Sequence, residues 1–444
     1  MEAIAAKIEA VMPSSVRQVC KRLHEAGFEA LAVGGAVRDA MLDRSPGDWD
    51  VATSAHPPEV MNLFSHTIPT GLDHGTVTVV LGKGEERDAI EVTTFRGDGD
   101  YTDSRRPDSV VFGVPLKEDL ARRDFVINAM AYDPVAQQVA DPFGGTADIA
   151  ARVIRAVGNP IERFTEDGLR VMRAIRFAAT LEFDLHPDTE AAIPAALPSL
   201  AKVSRERVRV EMLKLLAAPE PSRGLEIGQR AGVFSVAVDA ALNFEADAPA
   251  ETFADWQHAM SFVDAASDPL VRFAALLAFE DAHAGADSRA EAEAHVERRM
   301  RELTLSNADR QTVVKLYGAA SLWRQLPQAD VELRRFLAAI GRERAPATME
   351  LLRAQATAFG DGSAEAGKLA AAISQLEGII DRGDALTAKD LVLSGGDIIK
   401  LLEIRPGRII GDLHAKLLER VLHEPELNEP AALEAVLREL HDGA

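Results

Sequence analysis

The chain has 444 residues, 47% hydrophobic and 27% charged, enough for about three domains at roughly 150 residues each. A mean hydropathy of −0.05 and the lack of any apolar run near 18 residues exclude membrane spanning and indicate a soluble globular protein. The net charge of −21, from 49 basic and 70 acidic residues, argues against indiscriminate polyanion binding, so any nucleic-acid contact must be local.

The first residues carry Glu2, Lys7 and Glu9 at helical spacing with no basic or long apolar block. They are not a secretory signal, and a cytoplasmic chain is expected. The single cysteine, Cys20, lies among Val16, Val19 and Leu23 on an apolar helical face, which predicts a buried, inert thiol. Residues 1–145 predict a mixed α/β region. Short β-branched runs, Ala30–Val33, Val77–Leu81, Ile90–Phe95 and Val110–Val114, alternate there with helical patterns and Gly-rich turns. After Gly158 helix formers dominate to the C-terminus, punctuated at Ala284–Asp287, Gly360–Ser363 and Pro406–Gly407. Ala-rich acidic stretches near 281–297 fit solvated helix faces or linkers. The first 224 residues carry −8 and the remainder −13. Within the former, residues 152–176 hold six arginines against Glu162, Glu166 and Asp167, the first place to look for phosphates or bases.

Residues 30–53 order an apolar strand, the turn Gly34-Gly35, a short helix with Arg38, then Asp48-Trp49-Asp50 entering a second strand. Gly34 and Gly35 let a ligand approach the backbone, and their amides at a helix start favour an anionic phosphate that Arg38 also reaches. Asp48 and Asp50, two apart on the expected strand, share a face opposite Trp49 and Val51. Such adjacent anions repel unless a divalent cation lies between them, and Mg²⁺ prefers hard carboxylate oxygens together with substrate phosphates. In the strand Ala89–Phe95, Glu91 is a candidate third carboxylate, with Asp88 competing. Taken singly, each of these motifs is ordinarily a turn or a solvated strand face.

Later strings complete a pattern: Arg122-Arg123-Asp124-Phe125-Val126-Ile127-Asn128-Ala129, expected to open a helix running to Tyr132; Asp141-Pro-Phe-Gly-Gly145; and Glu166-Asp167-Gly-Leu-Arg170-Val-Met-Arg173-Ala-Ile-Arg176-Phe177. Asp167, Arg170, Arg173 and Arg176, three apart, predict a slowly winding polar ridge on a helix. A carboxylate accepts from the exocyclic amine of cytosine or adenine while a guanidinium donates to the ring nitrogen beside it; uracil and guanine invert both roles.

These ordered motifs resemble the class II tRNA nucleotidyltransferases and bacterial poly(A) polymerases, whose catalytic head is similar to that of DNA polymerase beta. The resemblance is close over residues 28–215, and Leu391–Leu422, with Arg405-Pro-Gly-Arg-Ile-Ile-Gly411, looks like the C-terminal region of the same enzymes. It implies an α+β fold: a nucleotidyltransferase head with a small mixed β-sheet and helices (1–150), then an all-α neck (151–225), body (226–330) and tail (331–444) that bind tRNA. It implies addition or repair of the 3′-terminal CCA of tRNA from CTP and ATP with release of pyrophosphate. Asp48 and Asp50 would be metal ligands for Mg²⁺, with Glu91 a weaker catalytic candidate. Gly34, Gly35, Arg38 and Arg123 would hold the nucleotide; Asp167 and Arg170 would select its base, aided by Arg173 and Arg176.

The resemblance also implies that Asp141–Gly145 joins head to neck as a hinge or a static bend. Residues 205–214 match the following neck helix, with charges expected to be structural. In the family a flexible loop at residues 96–108 helps the change from C to A addition, so its presence implies full CCA synthesis or A addition. Poly(A) polymerase, an A-only enzyme and a catalytically silent RNA-binding protein are the alternatives; the acidic C-terminal half disfavours the basic tail of poly(A) polymerases. The lone His441-Asp442 dipeptide gives no phosphohydrolase site, and no protein partner is identifiable.

Overall fold

The computed structural model describes residues 2–82, 87–98, 110–238, 250–284, 289–321 and 329–442. The chain forms two compact units, Met1–Phe244 and Glu245–Ala444. The first is mixed α+β and the second helical, the fold class expected from the sequence.

The first unit opens with α1 (Glu2–Val11) and α2 (Ser14–Glu25). It continues through β1 (Ala30–Val33), α3 (Gly35–Met41), β2 (Asp50–Thr53), α4 (Pro57–Leu63), β3 (Thr67–Gly71), β4 (Thr76–Leu81), β5 (Asp88–Thr94), β6 (Arg96–Asp98), β7 (Val110–Phe112), α5 (Leu116–Ala121), β8 (Ala131–Asp133) and β9 (Gln138–Ala140). The four expected strands are thus present, Ala30–Val33 residue for residue. Seven strands form one sheet in the order β3-β4-β5-β2-β1-β8-β9. In it β2 and β5 run parallel, and the other neighbours antiparallel.

Alternation puts the sheet between two cores. Ala30, Ala32, Val51, Ile90 and Val92 pack with Val19, Cys20, Leu23 and Val60 from α2 and α4. Leu31, Val33 and Ala52 face the other way, onto Phe95, Leu120 and Val126. Cys20 is fully buried, and burial pushes its thiol up to about 12. β6 and β7 pair as a hairpin stem. Of the expected loop, residues 96–98 are therefore strand, and residues 99–108 lie outside the described residues.

The helix expected from Arg122 does not form. After α5 the chain makes a single 3-10 turn at Val126–Asn128 and enters β8, with Tyr132 in the sheet. Asp124 accepts from the N–H of Phe125 at 2.8 Å, a local bond that competes with helix. Val126 N–H and the Asp124 carbonyl pair instead with Arg155 and Val157.

The remainder of this unit is mostly helical: α6 (Gly145–Ala151), β10 (Val153–Ile154), α7 (Pro160–Glu166), α8 (Leu169–Leu181), β11 (Asp184–Leu185), α9 (Pro187–Ala191), α10 (Ile193–Leu200), α11 (Arg205–Leu216), α12 (Pro221–Arg230) and α13 (Phe234–Ala237). The turn before α6 is fastened rather than loose. The Asp141 carboxylate accepts from the backbone of Gly144, Gly145 and Thr146 and from the Thr146 hydroxyl, at 2.6–3.0 Å. Helix α8 packs against α11 and α12. It buries Val171, Met172, Ala174, Ile175 and Ala178 and leaves its arginines on the remaining stripe.

The second unit consists of α14 (Ala250–Ala265), α15 (Pro269–Ala284), α16 (Arg289–Glu302), α17 (Asn307–Ser321), α18 (Asp330–Ile340), α19 (Ala345–Phe359), α20 (Ala364–Asp381), α21 (Gly395–Leu402), α22 (Arg408–His423) and α23 (Pro430–Asp442). Helices α21 to α23 close a local core on Ile398, Leu413, Leu417, Leu433 and Leu437. Among the described residues no helix is long and apolar enough to cross a membrane.

Candidate active site

Val33 pairs with Asp50 across β1 and β2. The turn that leaves β1 and the acidic pair that enters β2 therefore meet at one edge of the sheet. Asp50 begins the strand, whereas Asp48 lies in the loop before it rather than on the strand as expected. The alternation survives. Trp49 and Val51 point into the core, and Asp48 and Asp50 line a cleft of about 690 Å³. Gly34, Gly35, Arg38, Arg123, Asp167, Arg170, Arg173 and Arg176 line the same cleft, so residues as far apart in sequence as Gly34 and Arg176 converge on one space.

On the sheet side, Gly34 has φ +79°, and a Cβ there would stand 2.8 Å from Arg123 Nη1. Glycine is needed both for the backbone and to seat that guanidinium. The Gly34 N–H donates to the Met130 carbonyl at 3.3 Å. It is thus committed within the protein, and Gly34 contributes conformation rather than the phosphate-facing amide expected of it. Arg38 is buried and forks onto Asp39 at 2.8 and 2.9 Å while its Nη1 donates to Asn128 at 2.5 Å. Arg122 and Arg123 share buried Asp119 as counter-ion, at 3.1 and 3.6 Å. Burial lowers the Arg123 pKa against the pull of Asp119 and Asp50.

On the helix side the ridge is real, but Asp167 stands ahead of α8 rather than on it. Gly168 makes that turn possible, since a Cβ there would fall 2.3 Å from the Leu200 backbone nitrogen. Asp167 accepts from Leu169 N–H at 3.1 Å and from Arg207 Nη2 at 2.8 Å. Arg170 donates to Glu166 at 2.7 Å and to the carbonyls of Arg163 and Arg122. Arg173 pairs with Asp124 and Arg176 with Glu211. Arg38, Arg173 and Arg176 also surround one ring, their guanidinium carbons 5.1, 5.4 and 3.9 Å from the centre of Phe177. That face stabilises cations.

Glu91 is beside Asp50 in the parallel register and on the same sheet face, yet outside the residues that line the cleft. Asp88 has the opposite parity, with Ile90 and Val92, which removes it as a competitor. Burial first, then Glu91 and Asp48, push the Asp50 carboxyl up to about 6 despite the opposing pull of Arg123. Among the described residues no group of three His, Cys, Asp or Glu side chains is placed to hold a metal. Asp48 and Asp50 both line the cleft.

Arg207, Lys214, Asp124, Asn128 and Phe177 also belong to the cleft wall. The charges of 205–214, expected to be structural, thus include two that face the cleft. The available signal was spacing: Arg207, Glu211 and Lys214 stand at i, i+4 and i+7, while Val208, Met212 and Leu215 are buried. Eight cationic and five acidic side chains line the cleft, a local positive excess on a chain of net charge −21. From the run 152–176 it takes Arg170, Arg173 and Arg176, whereas Arg152 and Arg155 pair with Glu182 and Asp148.

Residues 30–155 match the family model described as the poly A polymerase head domain. Residues 182–237 match that of a probable RNA- and SrmB-binding site of polymerase A. The CCA-adding enzyme of Geobacillus stearothermophilus is 51% identical over 215 residues, 48% of this chain and 52% of that one. The chain thus spans about half the length of the relatives it matches at that identity. The CCA-adding enzyme of Leuconostoc mesenteroides is 34% identical over 426 residues, 95% of each chain. Among solved structures, the Bacillus stearothermophilus CCA-adding enzyme in complex with CTP superposes with a TM-score of 0.73 at 31% identity, covering 96% of this chain and 97% of that one.

Proposed function

The chain belongs to the family of CCA-adding enzymes, and on that premise we propose that it joins the 3′-oxygen of tRNA to the α-phosphorus of CTP or ATP, releasing pyrophosphate. The observation that carries this reading is the meeting of Asp48 and Asp50 with Asp167 and Arg170 in a single cleft.

Asp48 and Asp50 would hold Mg²⁺, which fits because its charge offsets the burial and the neighbouring carboxylates that raise the Asp50 carboxyl. When bound, the ion supplies Lewis-acid activation of the attacking oxygen and neutralises the leaving group. Arg123, seated against Gly34 and backed by Asp119, offers its guanidinium to the triphosphate. Arg38 is tied to Asp39 and Asn128 and stiffens the turn around the Gly35 amide. At the other wall Asp167 presents an acceptor and Arg170 a donor. Arg170 spends three bonds on the protein, which leaves guanidinium hydrogens for a ring nitrogen. Cytosine and adenine meet this pair with complementary edges; uracil and guanine do not. Arg173 and Arg176 hold the helix against Asp124 and Glu211. Residues 1–150 serve as head, 151–225 as neck, and 226–330 and 331–444 as the helical parts that receive tRNA, in the cytoplasm.

The test is product sequencing on tRNA ending before CCA, after C and after CC, with labelled CTP and ATP. Ordered addition of C, C and A is expected, and failure to extend any of the three substrates refutes the reading. Extension only of tRNA ending in CC identifies an A-only enzyme.

A further inference from the structure

This inference rests on the reading that a nucleotide fills the cleft and meets both of its walls. A chain of buried polar contacts runs between those walls. On the head side Arg38, 7% exposed, donates from Nε and Nη2 to Asp39 and from Nη1 to the Asn128 amide oxygen. On the helix side the Asn128 amide nitrogen donates to Asp124 at 3.0 Å, and Asp124 accepts from Arg173 of α8 at 2.7 Å. A guanidinium only donates and an ionised carboxylate only accepts, so the amide is locked with its oxygen toward Arg38 and its nitrogen toward Asp124. Asn128 is 6% exposed and is the uncharged link between two ion pairs. Those pairs bring two cations to one ring, with the Arg38 and Arg173 guanidinium carbons 5.1 and 5.4 Å from the centre of Phe177. Repulsion between the cations is restrained by their acids and by the amide that ties one pair to the other. Arg38 spends three of its N–H groups on these bonds. Its Nη2 stands against Gly35, where a Cβ would be 3.5 Å away, so an unspent hydrogen remains at the turn that lines the cleft.

We propose that Asn128 is a positioning residue for nucleotide binding: its amide ties the Arg38–Asp39 pair of the head to the Asp124–Arg173 pair of α8, and so sets the span between the turn that takes the phosphates and the helix that takes the base. An apolar side chain at 128 strands Arg38 Nη1 and a lone pair of Asp124 in a buried place. A carboxylate at 128 keeps the Arg38 bond but sets a second acceptor against Asp124.

The test measures KM and kcat for CTP on tRNA ending before CCA and for ATP on tRNA ending in CC, together with KM for each tRNA. It compares wild type with Asn128→Leu, Asn128→Asp and the exchanged pair Asp124→Asn/Asn128→Asp, with helicity and Tm confirming that each is folded. Both single variants should raise KM for both nucleotides about 10-fold, the effect of about one net polar contact. KM for tRNA and the preference for CTP over UTP should stay within about 2-fold, because those contacts lie elsewhere. The exchanged pair keeps the net charge and again sets a donor, the amide nitrogen at 124, against an acceptor, the carboxylate at 128; it should bring the nucleotide KM back to within about 3-fold of wild type. Unchanged nucleotide KM in both single variants overturns the proposal. An equal rise in KM for tRNA overturns it too, since that marks a general loss of structure, and so does an exchanged pair no better than Asn128→Asp. If folded Arg38→Met and Arg173→Met both bind CTP like wild type, the underlying reading of the cleft fails instead, and the inference fails with it. Should Asn128→Leu not fold, wild-type KM values in folded Asn128→Asp refute the need for the bond to Asp124.

Discussion

Replacing Asp124 by Asn tests whether the cleft wall is held by a buried charge pair. The Asp124 carboxylate is 8% exposed and accepts from Arg173 Nε at 2.7 Å, Asn128 Nδ2 at 3.0 Å and Phe125 N–H at 2.8 Å. Arg173 and these donors outweigh burial and hold its pKa down at about 2. Against an ordinary 3.8, that is about 2–3 kcal/mol in favour of the ionised folded form. The Arg173 side chain keeps 35% of its surface in water, so solvent screening reduces the expected loss to ~2 kcal/mol, roughly a 30-fold change in an opening equilibrium.

Because two compact units need not unfold in one step, the appropriate assay is hydrogen exchange by mass spectrometry on peptides from 169–181 and 124–133. Exchange there should accelerate about 30-fold in Asp124→Asn, with peptides from 330–442 unchanged. The sign with pH follows from the lowered pKa. The stabilisation is complete above the unfolded carboxyl value near 3.9 and is lost as pH falls toward 2, so wild type and variant converge over that window. Exchange in α8 within 2-fold of wild type at pH 7, or a difference that persists at pH 2, refutes the reasoning.

Asp48→Ala should abolish incorporation of labelled CTP while shifting Tm by less than 2 °C, because Asp48 is exposed; residual addition above 1% of wild type contradicts its role. Phe177→Leu removes the ring shared by three guanidinium groups and should raise the KM for CTP 3–10-fold, a change that steady-state titration detects. Gly168→Ala forces a Cβ onto the Leu200 backbone and should destabilise the first unit by more than ~2 kcal/mol, read as a lower urea midpoint. Cys20 should resist a thiol reagent in the native protein and react fully in denaturant, since the thiolate forms poorly in its apolar site; rapid native labelling contradicts that burial.

Strands such as Ala30–Val33 were legible because a short apolar run ending at a Gly-Gly turn is too brief for a helix, and the acidic pair was legible because Trp49 between its members demands a core on one side and a cleft on the other. The order of the motifs then pointed to one site. Partner choice was not legible. Arg122 and Arg123 take Asp119 as counter-ion and leave Asp124 to Arg173, a pairing set by tertiary approach over 49 positions. Likewise, the local Asp124–Phe125 bond alone did not tell that Arg122–Ala129 would abandon helix, since the backbone partners that complete the alternative lie at 155–157. The sequence made Glu91 a candidate on a nearby strand; its register beside Asp50 comes from the pairing of β2 with β5, and it lies outside the residues that line the cleft.

The cleft draws on segments spread from Gly34 to Lys214, and this fixes a sequence of events during synthesis. A nascent chain stopped before α11 already carries the acid pair and the α8 arginines, but lacks Arg207 and Glu211, the anchors of Asp167 and Arg176. Such a fragment holds Asp48, Asp50, Asp167 and Arg170 without the α11 side chains that Asp167 and Arg176 pair with. Vectorial synthesis therefore leaves the α11 wall, with Arg207 and Lys214, as the last part of the cleft to be made.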